Sequence, residues 1–146
     1  MDTPSTKNNK PTTLSDLQAK LDAELRIDPS NLLEETSSNL NKHAWWFSQL
    51  LGCRAVYKRA QSELKVLERD RYNYYAGIGK DVFEYNLDRT AIKFNLEGDS
   101  QCIAKQKELS MIELKIEFFI KACDLMKDRG FAIRNQIELL KFQNGM

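Results

Sequence analysis

A single histidine, three prolines, six glycines and three cysteines are all that 146 residues hold of the types that build most catalytic, metal-binding or tightly turned sites. Each scarcity excludes something. His43 has no Cys or His companion at ligand spacing, so no zinc pattern and no imidazole dyad exists, and a packed or surface histidine is expected. Cys53, Cys102 and Cys123 are odd in number and far apart, which fits neither a disulfide framework nor a metal site. Cys123 reads as a small core residue, and the usage as a whole points to the reducing cytoplasm of a cell. There is no signal peptide and no apolar run that spans a membrane. No nucleophile motif is present, so neither an enzyme nor a cofactor is expected. The one phosphate-loop candidate, Gly77–Lys80, lacks the preceding glycine of the P-loop, and Asp81 stands where its hydroxyl should be.

Net charge is also lacking: 22 Lys and Arg against 21 Asp and Glu leave +1, so attraction to a polyanion needs local segregation of charge. That segregation is present. Asp16, Asp22, Glu24, Asp28, Glu34 and Glu35 face only Lys20 and Arg26 between residues 14 and 35. Between residues 54 and 75 the basic side are Arg54, Lys58, Arg59, Lys65, Arg69 and Arg71, against Glu63, Glu68 and Asp70. On a helix turning ~100° per residue, Arg54, Lys58, Lys65, Arg69 and Tyr72 fall within about 60° of one another. A cation row of this kind can follow a phosphate backbone, and the tyrosines Tyr72, Tyr74 and Tyr75 offer flat faces to any base. The alternative is a solvated face of a long helix with tyrosines half-buried against a neighbour.

Residues 1–13, polar and without an apolar side chain after Met1, read as a flexible tail. Thr13 and Asp16 form a capping-box pattern ahead of Leu14, Leu17, Leu21 and Leu25 at helical spacing. Pro29 breaks that helix and suits the first position of a second, capped by Asp28 and running toward Ala76. Its seam is read through Leu40, Phe47, Leu50, Tyr57 and Leu64, while the adjacent Trp45 and Trp46 point to different faces. Phe83, Tyr85 and Leu87, then Ile92, Phe94 and Leu96, alternate, leaving open a small β-hairpin over 82–96 or a helical turn at Ile92–Leu96. Leu109, Ile112, Ile116, Phe119, Cys123, Met126, Gly130, Ile133, Ile137 and Leu140 alternate spacings of three and four, the seam of helices packed side by side. Gly130 is a point where that helix bends or ends. The fold class is mainly α, long helices in a bundle or coiled-coil-like homo-oligomer, with Ile112, Ile116, Phe119, Cys123, Met126, Ile133 and Ile137 expected at subunit contacts. The expected division is a tail (1–13), a helical DNA-binding region (14–100) and an oligomerisation region (101–146).

Two motifs, RYNYYAG at Arg71–Gly77 and RGFAIR at Arg129–Arg134, resemble the UvsY-type recombination mediators of large tailed bacteriophages. The likeness extends more weakly from Leu14 to the end. It implies a protein without catalytic activity that binds single-stranded DNA and assembles into a hexameric or heptameric ring. It further implies a role in homologous recombination and repair in the host cytoplasm: loading a RecA-like phage recombinase onto DNA coated by the phage single-strand binding protein. The family's basic pair ahead of the tyrosines maps onto Arg69 and Arg71. A helical oligomeric scaffold or adaptor without DNA binding is the alternative class.

Overall fold

The computed structural model describes residues 13–145. The flexible tail expected for 1–13 lies, apart from Thr13, outside them. Four α-helices follow one another and no strand occurs among the described residues: α1 (Leu14–Leu25), α2 (Leu32–Tyr75), α3 (Arg89–Glu97) and α4 (Ser100–Gln143). The chain condenses into two units, residues up to 43 with those from 122, and residues 44–121.

In the first unit, α1 opens with the expected capping box, Asp16 N–H donating to Thr13 and Thr13 N–H to Asp16 at 3.1 and 3.3 Å. It buries Leu17 and Leu21. The second helix begins at Leu32 rather than Pro29. Asp28 spends its carboxylate on the Ser30 amide (2.9 Å) and hydroxyl (2.6 Å), which makes a local turn and leaves the helix to start past it. The opening turns of α2 run antiparallel to the second half of α4: Asn39 donates to the Met126 carbonyl at 3.1 Å, and Arg129 reaches Asn39 Oδ1 (2.8 Å), the Arg26 carbonyl (2.8 Å) and Glu35. Arg129 is 3% exposed, so its charge is carried by these partners instead of water. Gly130 does not end α4, which continues to Gln143. Its missing side chain admits Asn39, whose amide nitrogen would lie 3.1 Å from an added Cβ.

The second unit pairs residues 44–75 of α2 with 100–121 of α4. As the α2 number falls from 71 through 63 and 57 to 46, its partner rises from 99 through 105 and 113 to 119, so the helices run antiparallel. Trp46 is fully buried, edge-on to Phe118 and tilted against Phe119, both at 6.0 Å, while Trp45 turns outward. The α2 core face carries Trp46, Leu50 and Ala60; Leu40 and Phe47, which the sequence pattern assigns to the seam, are 73% and 47% exposed. The same heptad line carries Arg54, Gln61 and Glu68, so it is not apolar throughout. The hairpin left open over 82–96 does not form: Asp88 accepts from Ala91 N–H at 2.8 Å and starts α3, which buries Ile92. A local cap forms without a partner strand, and that decides between the two periodicities.

The α4 seam is core within the chain. Leu109 and Phe119 are buried in one unit and Met126 and Ile133 in the other, with Ile112, Ile116, Cys123 and Ile137 half-buried. Burying a Leu or Phe side chain stabilises by about 1.5–3 kcal/mol. The opposing helices therefore cover Leu109, Phe119, Met126 and Ile133 within the chain, while Ile112, Ile116, Cys123 and Ile137 keep part of their surface open.

Candidate nucleic-acid interface

All eight expected DNA-binding residues lie on α2 of the second unit, and the structure divides them into two groups. Arg54, Lys58 and Lys65 are exposed, and the ion pairs among the described residues involve none of them. Arg69 continues the row with its side chain 68% exposed; it pairs with the adjacent Asp70 at 3.1 Å. An exposed neighbour pair is worth about 0–1 kcal/mol and leaves the guanidinium available to a stronger anion. Tyr72, 39% exposed, closes this face. Five residues of the row thus share an outward face, as the helical spacing requires.

Arg71, Tyr74 and Tyr75 turn the other way, toward the start of α4, and the residue that gathers them is Asp99. Its Oδ1 accepts from the amides of Gln101 and Cys102, both at 3.0 Å, capping α4. Its Oδ2 accepts from Arg71 Nε and the Tyr75 hydroxyl, both at 2.8 Å. One carboxylate therefore caps one helix and holds the end of another. Asp99 is 3% exposed; burial alone would raise its pKa, but the Cys102 amide, the Tyr75 hydroxyl and Arg71 together outweigh it and hold the carboxyl at about 2. Burial, reinforced by the bond to Asp99, pushes the Tyr75 phenol up, and that same carboxylate raises Arg71. Asp99 had a sequence signal, an Asp after Gly98 and ahead of an apolar periodic run, which is the mark of an N-cap.

Above this foot sits an aromatic cluster. The Arg71 guanidinium lies 4.3 Å from the centre of the Tyr74 ring, and Tyr74, Tyr75 and Phe83 are mutual neighbours at 5.1–6.0 Å. Phe83 arrives there because the chain reverses at the end of α2. Gly77, at φ 77°, makes that reversal with Ile78 N–H on the Asn73 carbonyl (2.9 Å) and Gly77 N–H on that of Tyr74 (3.3 Å). The Phe83 amide then returns to the Tyr74 carbonyl at 3.0 Å. GIGK is a helix stop.

In the first unit an open groove of about 370 Å³ is lined by Leu40, His43, Met126, Phe131, Arg134 and Ile137 among others. Leu40 and Phe131 at this groove, and Leu33, Leu139 and Phe142 in the same unit, are 49–83% exposed apolar side chains. No helix among the described residues is long and apolar enough to cross a membrane, and no group of three or more His, Cys, Asp or Glu able to hold a metal occurs among them.

An exposed cation row beside aromatics, carried on long paired helices, is the equipment of a helical polyanion-binding protein. The comparisons give the class a family. The chain belongs to the UvsY family, described as recombination, repair and ssDNA binding protein UvsY, whose model matches residues 20–146. The recombination protein uvsY of Enterobacteria phage T4 is 28% identical over 135 residues, 90% of this chain and 98% of that protein. Two crystal forms of the bacteriophage T4 recombination mediator protein UvsY superpose with TM-scores of 0.82 and 0.81 at 26% and 25% identity. They cover 90% and 89% of this chain and 98% of each T4 chain.

Proposed function

We propose that this protein binds single-stranded DNA as a homo-oligomer and mediates recombination, loading a RecA-like recombinase where a single-strand binding protein covers the DNA in the host cytoplasm. Membership of the family and the likeness to the T4 mediator support the setting. The observation that carries the chemistry is the row Arg54, Lys58, Lys65 and Arg69, of which the first three have no carboxylate partner among the described residues. Tyr72 completes the contact face. Arg71, Tyr74 and Tyr75 support it from inside, since Asp99 and the ring cluster already occupy them.

Self-association falls to residues outside the buried seam. Leu33, Leu40, Phe131, Leu139 and Phe142 present the apolar surface a second copy would cover. Several copies raise the effective concentration of each cation row for a strand already held by a neighbour, so a net charge of +1 suffices for firm binding. No cofactor and no catalytic group enters this reading.

Titrating an oligonucleotide at several salt concentrations tests it. Lys58→Ala with Lys65→Ala is expected to weaken binding alike for all base sequences and to flatten the log affinity against log salt slope by roughly 1.4, about 0.7 per lost phosphate contact on a single strand. Wild-type affinity and slope in the double variant would leave the row as a merely solvated face.

A further inference from the structure

One end of the aromatic cluster is not explained by packing. Tyr74, Tyr75 and Phe83 are half-buried among one another, but Tyr85, which joins them edge-on through Phe83 at 5.6 Å, is 68% exposed. From the DNA-binding reading above, on which this step rests, we infer that Tyr85 is the base-stacking residue and makes the protein prefer unpaired strands.

Three observations support this. The ring is presented from a pinned loop: the Gly77 reversal and the Phe83 amide on the Tyr74 carbonyl fix the loop to the end of α2, and the Arg71–Asp99 pair fixes the base of the cluster. A ring held in advance loses less freedom on binding than one on a free segment. The loop departs from the end of α2 at Tyr75, within two turns of Arg69 and Tyr72, where the cation row stops. A strand following the phosphate contacts arrives there.

The local charge selects which part of the strand is received. Asp81 and Glu84 precede Tyr85 and Asp88 follows it, with Lys80 as the loop's cation, so phosphates are favoured on the α2 row and disfavoured here. An uncharged aromatic base meets no such penalty. In a duplex both faces of each base are already stacked, and Tyr85 then has nothing to receive. Tyr74 and Tyr75, more prominent in sequence, are taken by Phe83, by Arg71 and, for Tyr75, by Asp99.

The test compares an oligothymidylate with an abasic strand of equal length, using the full chain with Tyr85→Ala and Tyr85→Trp. Wild type is expected to favour the strand with bases by about tenfold or more, Tyr85→Ala to bind both equally with an unchanged salt slope and melting temperature, and Tyr85→Trp to keep the preference. If Tyr85→Ala retains the wild-type preference, or loses affinity for both strands alike, Tyr85 is not the stacking residue. A wild type that binds neither strand removes the DNA reading itself, an outcome distinct from either.

Discussion

Two arginines only two positions apart, Arg69 and Arg71, have opposite circumstances, and the difference follows from where a helix turn points them. Arg69 faces water with its side chain 68% exposed, whereas Arg71, at 22%, is held by a carboxylate that is itself 2% exposed. Asp99 is ionised at the cost of burial and recovers that cost from four hydrogen-bond donors. Its pKa of about 2, against an ordinary 3.8, means the folded state binds the proton less readily than the unfolded chain. The stability it contributes is complete above the unfolded value and is lost as pH falls toward and through about 2. The shift corresponds to about 2 kcal/mol. Asp99→Asn is expected to lower stability at neutral pH by about 2–3 kcal/mol, since Arg71 then faces a neutral partner. Urea titrations at about pH 5 and about pH 2 check this: the gap between wild type and variant should narrow at the lower value by an amount of the order of the shift. An equal gap at both would mean the carboxylate's charge contributes nothing.

At the scale of elements, α2 and α4 run for 44 residues each without an internal proline, yet each contains a glycine. Gly52 meets nothing within 4 Å of an added Cβ, but Gly130 has Asn39 at 3.1 Å. Alanine favours a helix interior over glycine by about 1 kcal/mol. That gain is expected at Gly52 and not at Gly130. Asn39 is held between the Met126 carbonyl at 3.1 Å and Arg129 at 2.8 Å, so it cannot retreat without stretching both bonds. Gly52→Ala should therefore raise the melting temperature and Gly130→Ala lower it. Adding Asn39→Ala to Gly130→Ala should make the glycine replacement favourable, a sign reversal that a double-mutant cycle measures directly. A favourable Gly130→Ala in the wild-type background would show that Asn39 yields.

For the molecule as a whole, charges that cancel to +1 are arranged so that the row on α2 remains cationic, and apolar side chains are divided between a buried seam and an exposed set. The two sets predict different failures. Phe119→Glu places an unpaired charge beside Trp46 and should unfold the chain, since such a burial costs several kcal/mol. Phe142→Glu or Leu139→Glu alters side chains that are 83% and 56% exposed, so folding should be retained while self-association and, through lost multivalency, DNA affinity fall. Sedimentation, circular dichroism and strand binding on the same samples separate these outcomes. A Phe142→Glu variant with the wild-type mass would exclude that surface from assembly.

Much of the architecture was legible in the residue order, because it rests on short-range rules. Apolar spacing of three and four, the capping box at Thr13 and the scarcity of proline and glycine dictate long helices whatever they pack against. The outward direction of Arg54, Lys58, Lys65 and Arg69 follows from the same periodicity. Periodicity gives a face but not its occupant. Whether the α4 seam meets its own chain or a copy depended on α2 being long enough to cover it, and the seam residues Phe119, Met126 and Ile133 are buried within the chain. Contacts between residues distant in sequence were beyond the pattern altogether. Arg71 is turned from the exposed cation row by Asp99, 28 residues away, and the missing side chain of Gly130 leaves a gap for Asn39, 91 positions earlier. These are long-range pairings of a charge with a counter-charge and of a side chain with a space. Neither partner carries a local signature of the other, so only the tertiary structure decided them.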